Sequence, residues 1–442
     1  MAEKIRIKKG FDIPLAGMPS SIVTDDRLTS LFAISPDDFP GPVWKAVVKP
    51  EETVNAGDPL LVDKATGKVR LVSPVAGRVK EVHRGERRHI EYVSVSKEGD
   101  PQPVNFGNNM KGNEAKEAIL ASGLWAMMRQ RPFDIVPDPE VAPRDIFVTA
   151  FDSAPLAGEL LSDSLAKWLE AGLETLASLT AGKVYLGIKA GSNISSKAAE
   201  VYEFEGPHPA GNVGTQIAAI KPVNKGETVW TLDAVTAAKI GKLVKTGEAD
   251  LTTTVALTGP DVKDPHLIST FVGASIDSLI KDALVKEEGV RIISGNVLTG
   301  TRVRKDGFLR FPYRQITVID EGDDADEFMG WASVNPGKFS VKRSFPAFLR
   351  GFSKPFHFDA RIKGGHRAMI LSGEYDKVFP FDIYPEFLLK AIMAKDIDKM
   401  EKLGIYEVAP EDFALPEFVD TSKIELQKTV RDGLDYLRKE LS

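Results

Sequence analysis

VDKA (62–65) and SPVAGRVKEVHRGERR (73–88) are the two phrases that decide how the first hundred residues fold. Around them, VWKAVVK, PLLVDK, VRLVS and PVAGRVKEV alternate apolar and polar residues between 43 and 95. A period of two marks strands with one buried face. Gly, Pro, Asn and Asp return every few positions, and each of them favours a turn. The stretch therefore reads as a small β-sandwich or barrel, with Lys64 on a tight hairpin between Asp63 and Ala65.

That outline resembles the lipoyl and biotinyl carrier domains. In them a hairpin projects one lysine within an Asp-Lys-Ala phrase, and a Pro-x-x-Gly turn belongs to the symmetry-related half. Pro74 and Gly77 supply the turn here, and Val54, Gly57 and Asp58 an earlier Val-x-x-Gly-Asp element. Lys64 either carries a prosthetic group or marks a carrier shape without cargo. Thr66, Gly67 and Lys68 lengthen the hairpin beyond the usual lipoyl spacing, and the flanks lack the mobile linkers of a swinging arm. Both features weigh toward an unmodified lysine.

Outward from this module, the chain of 442 residues has room for three or four domains. Its net charge of −6 and lack of a basic, aromatic-rich tract speak against nucleic acid. The N-terminus MAEKIRIKKGFDIP has no apolar core of a signal peptide. The best apolar stretch, AILASGLWAMM (118–128), is shorter than the roughly 20 residues a membrane span needs. There is no cysteine, which excludes disulfides, thiol nucleophiles and thiolate-held zinc or Fe–S clusters in this chain. The six histidines show no ligand spacing and read as structural.

From about 144 the period changes. DIFVTA (145–150), KVYLGIK (183–189), VYEFE (201–205) and TVWTL (228–232) are strand-like runs. Between and after them, 156–179 and 233–247 have helical spacing, the second with Asp233 as N-cap and Gly247 at its end. Strands alternating with helices predict an open α/β sheet. Residues 251–320 hold more strands around one short helix capped by Ser275, as in a β-grasp. EGDDADEF (321–328) lacks the residue order of a calcium loop and reads as a solvated linker. In the tail, Pro385 opens a helix and Gly404 closes one. Ser422 and Glu425 form a capping box, and Val430, Leu434, Leu437 and Leu441 one apolar stripe for core or partner contact.

Dinucleotide and P-loop fingerprints are missing: among 37 glycines no two lie two apart. GPHPAGNVGTQ (206–216) is the remaining phosphate-loop candidate, through Gly211 and Gly214, though glycine more often serves backbone geometry. Gly-x-Ser-x-Gly is absent as well. No catalytic, cofactor-binding or metal-ligating residue is assigned.

IKKGFDIPLAG (7–17), SPVAGRVKEVHRGERR (73–88), RPFDIVPDPEVAPRDIFVTAFDSAPLA (131–157), GPHPAGNVGT (206–215), GGHRAM (364–369) and YDKVFPFDIYPEFLLK (375–390) resemble, in order, the A-subunit family of the bacterial sodium-translocating NADH:quinone oxidoreductase. The likeness spans nearly the whole chain. It implies an α/β multidomain protein: a barrel-sandwich hybrid over 1–105, a Rossmann-like domain over 106–250, a β-grasp SLBB-like module over 251–330 and a mainly helical domain over 331–442. It further implies a protein on the cytoplasmic face of the inner membrane that is not catalytic alone, with five other subunits as partners, chiefly the membrane-embedded B-subunit. Flavins (FAD, FMN, riboflavin) and Fe–S would sit in those partners, none in this chain, with quinone as substrate. Related redox subunits, among them the flavoprotein of complex I, use such domains beside flavin or NADH and hold Fe–S clusters in their helical tails. The tail here, EDFALPEFVDTSKIELQ (411–427), has no cysteine to do so. Contacts to quinone or to the B-subunit are expected from Trp331, Phe339, Phe345, Phe348, Phe352 and Phe356, with core packing as the competing reading. A free-standing carrier enzyme and a simple nucleotide-binding protein are the rival functions.

Overall fold

The computed structural model describes residues 2–99, 103–159, 161–323, 337–343, 346–349 and 354–441. Near the N-terminus the alternating runs become two small sheets. One orders Leu31–Ile34, Ile90–Lys97, Gly77–Arg84 and Thr53–Val54; the other orders Trp44–Ala46, Pro59–Asp63 and Arg70–Val72. Leu60, Leu61, Val79, Val93 and Val95 are fully buried between them. Gly77 is required by a close approach: a Cβ there would lie 1.9 Å from the Ser96 carbonyl oxygen. The barrel-sandwich hybrid forms as expected.

The second unit is a six-stranded sheet in the order Glu3–Arg6, Glu200–Glu205, Val184–Lys189, Asp145–Thr149, Val229–Asp233, Arg129–Arg131. The first five strands are parallel and the last is antiparallel. Among the four strands from 145 to 233, the spatial order is 3-2-1-4, the Rossmann half-pattern. Asp233 accepts the Thr236 backbone N–H at 2.7 Å and caps the helix Ala234–Thr246, which ends on Gly247 in the left-handed region (φ 78°). This helix crosses Leu169–Ala177 at bare backbone. A Cβ on Gly172 would lie 1.9 Å from the Ala237 oxygen, and one on Gly241 2.1 Å from the Trp168 oxygen. The helical spacing of 156–179 yields only Asp163–Ala166 and Leu169–Ala177. Leu156 has φ +62° and buries its side chain in the core of the C-terminal helices, so tertiary packing overrides the local pattern.

The third sheet orders Thr301–Val303, Val290–Ser294, Gln315–Asp320, Thr252–Thr258, His266–Phe271 and Val23–Asp25, with the one-turn helix Ile276–Leu279 beside it. Two segments from the first 30 residues thus extend the sheets of the later modules. Glu321 is no freely solvated linker residue, because it chelates the Arg291 guanidinium; 324–328 lie outside the described residues.

Four tail helices, Pro385–Met393, Ile397–Lys402, Ala414–Val419 and Leu426–Leu441, share one core. Pro385 does open its helix, and Gly404 (φ 91°) follows the end of Ile397–Lys402. The capping box does not form: the Ser422 hydroxyl donates to the Ala368 carbonyl, and the helix starts only at Leu426. Val430, Leu434 and Leu437 are buried, but Leu441 is exposed because nothing among the described residues packs over the last turn.

Candidate functional site

In the α/β sheet the chain reverses its winding between Asp145–Thr149 and Val229–Asp233. Crossovers to either side diverge there, leaving a crevice outside the carboxyl ends of the strands, the usual ligand position in such sheets. A cavity of about 560 Å³ occupies this place, roofed by the β-grasp and the helical tail. Such a volume suits a small organic molecule. Thr149, Asp152, Asn212 and Asp233 line it from the α/β domain, Arg314 from the β-grasp, and Glu411 from the tail.

Charge pairs hold the walls. Arg314 grips Asp233 with both terminal nitrogens, one of them 3.3 Å from Oδ1. Burial alone would raise the Asp233 carboxyl, but the Arg314 guanidinium outweighs it and holds the group below the carboxylate range. Arg131, 2% exposed, donates to Asp412 at 2.8 Å and to Glu411 at 2.7 Å. One guanidinium thus serves two adjacent carboxylates. Asp412 also accepts the Ala409 N–H at 2.8 Å, while its Oδ1 has no hydrogen-bond partner among the described residues. Burial raises the Asp412 carboxyl against the pull of Arg131. Glu411 is half-buried and opens onto the cavity. Desolvation, opposed by Arg131 and aided by Asp412, pushes it up to about 7. Asp152 is raised for the same first reason, loss of water.

The glycine loop forms another part of the wall, and packing accounts for both glycines. Gly211 donates its N–H to Ser153 Oγ at 2.8 Å, and a Cβ there would lie 2.6 Å from the Ser153 nitrogen. At Gly214 a Cβ would lie 2.2 Å from Asp412 Oδ1 and 2.7 Å from Arg131 Nη1. His208 is 3% exposed, with Nδ1 3.1 Å from Ser153 Oγ. Burial pushes its imidazole down to about 4, so it is neutral. Asp12 takes the His208 backbone N–H at 2.8 Å, not the ring, so no Ser-His-carboxylate relay is assembled.

Lys64 is exposed on its hairpin, and Asp63 fixes the turn by accepting the N–H groups of Ala65 and Thr66, each at 3.0 Å. The carrier shape is present at this position. The expected aromatic contacts fare differently. Phe356 is fully buried, and Phe339 packs among Phe11, Phe356, Phe358 and Phe418 at centroid distances of 5.2 to 6.5 Å. Phe356 is a core residue, and Phe339 is a half-buried one packed beside it. Trp331, Phe345, Phe352 and the side chain of Phe348 lie outside the described residues. None of Arg131, Arg314, Glu411 and Asp412 stands out in the sequence, because their partners are distant along the chain.

Domain models match in order along the chain: the NqrA N-terminal barrel-sandwich hybrid domain over 5–98, the NqrA second alpha/beta domain over 110–249, and the NQRA C-terminal domain over 254–305. A protein of Serratia proteamaculans, named as the A-subunit of a Na(+)-translocating NADH-quinone reductase, is 39% identical over 452 residues, covering 99% of this chain and all of the relative. Proteins of the same name from Vibrio anguillarum and Neisseria meningitidis are 36% and 35% identical, again over 99% of this chain and the whole of each relative.

The chain belongs to this NqrA family.

Among solved structures, an NAD+-reducing [NiFe]-hydrogenase matches at 12% identity and a TM-score of 0.32, over 68% of this chain and 55% of that one. Among the described residues no helix is long and apolar enough to cross a membrane.

Proposed function

We propose that this chain works as the A-subunit of a sodium-translocating NADH:quinone reductase. In this reading it lies at the cytoplasmic face of the membrane, docks on the membrane-embedded B-subunit and helps shape or gate the site where quinone becomes quinol. Electrons travel through flavins and Fe–S in the other subunits, and this chain contributes protein surface, not a redox group. The observation that carries the reading is end-to-end similarity to proteins of that name. The crevice at the sheet's switch point supports it. Three modules meet there, and its walls are clamped by the pairs Arg131–Asp412 and Asp233–Arg314. A rigid cleft between modules is a suitable device for positioning or admitting a ligand held partly by a neighbouring protein.

The test is affinity purification of the tagged chain from detergent-solubilised membranes of its own host, followed by NADH:quinone turnover with and without sodium. Co-purifying flavoproteins and sodium-stimulated turnover are the expected result. A chain that emerges alone, or that oxidises NADH by itself, overturns the proposal.

A further inference from the structure

Lys239 sits in the middle of the helix Ala234–Thr246 and is 1% exposed. A lysine so far from water normally meets a carboxylate, because a buried charge without a partner is costly. Lys239 meets none. Its amine donates to the Thr252 backbone carbonyl, and no acid lies within ion-pair distance of it among the described residues. The acids nearby are already taken. Asp233 is gripped by Arg314, and Asp250 by Lys242 at 2.8 Å. Lys239, Lys242 and Arg314 thus share two carboxylates, and Lys239 is the cation left over. Burial, and next the Arg314 charge, push its amine down to about 8, which still leaves it protonated at pH 7.

A cavity lies against this amine. Leu251 and Thr253, the neighbours of Thr252, line a space of about 40 Å³ that Lys239 also lines. About three water-sized volumes fit such a space. Leu71 and Val72 close it from the barrel-sandwich hybrid and Leu309 from the β-grasp, each at most 5% exposed. The charged side chains on its wall are Lys239, Arg310, Arg314 and Asp38, three cations against one acid. Asp38 is committed to Arg310 at 2.6 Å. Residues 310–314 line both this cavity and the crevice, so the two are neighbours, but Lys239 lines only the smaller one. Its sign disfavours a metal ion, and its volume is too small for a nucleotide or a quinone. Water alone leaves the surplus charge unbalanced. The apolar walls strengthen the pull on an anion, since little water screens it.

We propose that this cavity holds a small monovalent anion, a halide or a one-carbon carboxylate, paired with the Lys239 ammonium. One negative charge balances the surplus, while Arg314 stays with Asp233 and Arg310 with Asp38. The site concerns this chain alone and does not rest on the quinone reading.

Thermal melting of the purified full chain tests it, at pH 7 and constant ionic strength, with chloride or formate replacing gluconate, an anion too large for the cavity. The melting temperature is expected to rise by about 2 °C and then saturate, as for a ligand that binds only the native state. The anion that half-saturates at the lower concentration tells a halide site from a carboxylate site. Lys239→Met keeps the side chain's length, removes its charge and is expected to lose the response. A second measurement needs no variant at this buried position. Crystals of the wild type grown in bromide are expected to show an anomalous-scattering peak within hydrogen-bond reach of Lys239 Nζ. Three results overturn the proposal: melting that ignores both anions, a response that survives in Lys239→Met, or a bromide crystal with no peak in this cavity.

Discussion

Arg131 faces two buried or half-buried carboxylates with a single charge, and the imbalance makes this cluster sensitive to substitution and to pH. Arg131→Met would leave Asp412 buried and uncompensated, at a cost of about 3–5 kcal/mol. Chemical denaturation should show that loss as a lower midpoint. Glu411, raised to about 7, binds a proton in the folded chain at pH values where the unfolded chain has released it. Its contribution is therefore fully present below the ordinary carboxylate range and fades as pH rises through 7. Between pH 5 and 8 the wild type should lose about 1 kcal/mol relative to Glu411→Gln. The figure is kept small because the side chain is 40% exposed to screening water. His208 works with the opposite sign. Its imidazole is held neutral down to about 4, so its contribution is present above 6.5 and is lost as pH falls toward 4. His208→Gln should flatten that acid limb in thermal melts run from pH 7 to 4.

At the scale of elements, the helix crossing of Leu169–Ala177 on Ala234–Thr246 depends on two residues without side chains. Alanine at Gly241 gains up to about 1 kcal/mol of helix propensity. It also places a Cβ 2.1 Å from the Trp168 oxygen. The clash involves backbone on both sides, so the helices must separate and open a gap in a close-packed core. Gly241→Ala is expected to destabilise by more than about 2 kcal/mol, and a melt that rises instead contradicts the packing account. Asp233 joins two elements, capping this helix and holding Arg314 of the β-grasp. Asp233→Ser keeps a cap and loses the ion pair, whereas Asp233→Ala loses both. The alanine variant should be the less stable by about 1 kcal/mol, the usual worth of a cap.

For the whole molecule, Lys64 decides between cargo and scaffold. The bare hairpin expected here means that chain purified from its host has the mass of the unmodified polypeptide; an added lipoyl or biotinyl mass would restore the carrier reading. The rival nucleotide-binding role is checked by thermal stability with NADH, FMN and FAD, since a ligand that binds the native state raises it. No shift at millimolar concentration is expected, because packing against Ser153, Asp412 and Arg131 already occupies the two loop glycines.

The strands near residues 43–95, the α/β alternation, the Asp233 cap and the Pro385 start were all legible, since each rests on neighbours a few residues apart. Periodicity and capping are local physics, and one chain displays them without help. The same local reading erred at 156–162 and at Ser422, where a distant surface claimed a side chain. The crevice belongs wholly to the tertiary structure. Arg131 meets Glu411 across 280 positions and Arg314 meets Asp233 across 81. With 57 basic and 63 acidic residues in the chain, nothing local singles out those pairs. Only the stacking of three modules takes these few charges out of water, and desolvation is what separates them from the solvated majority.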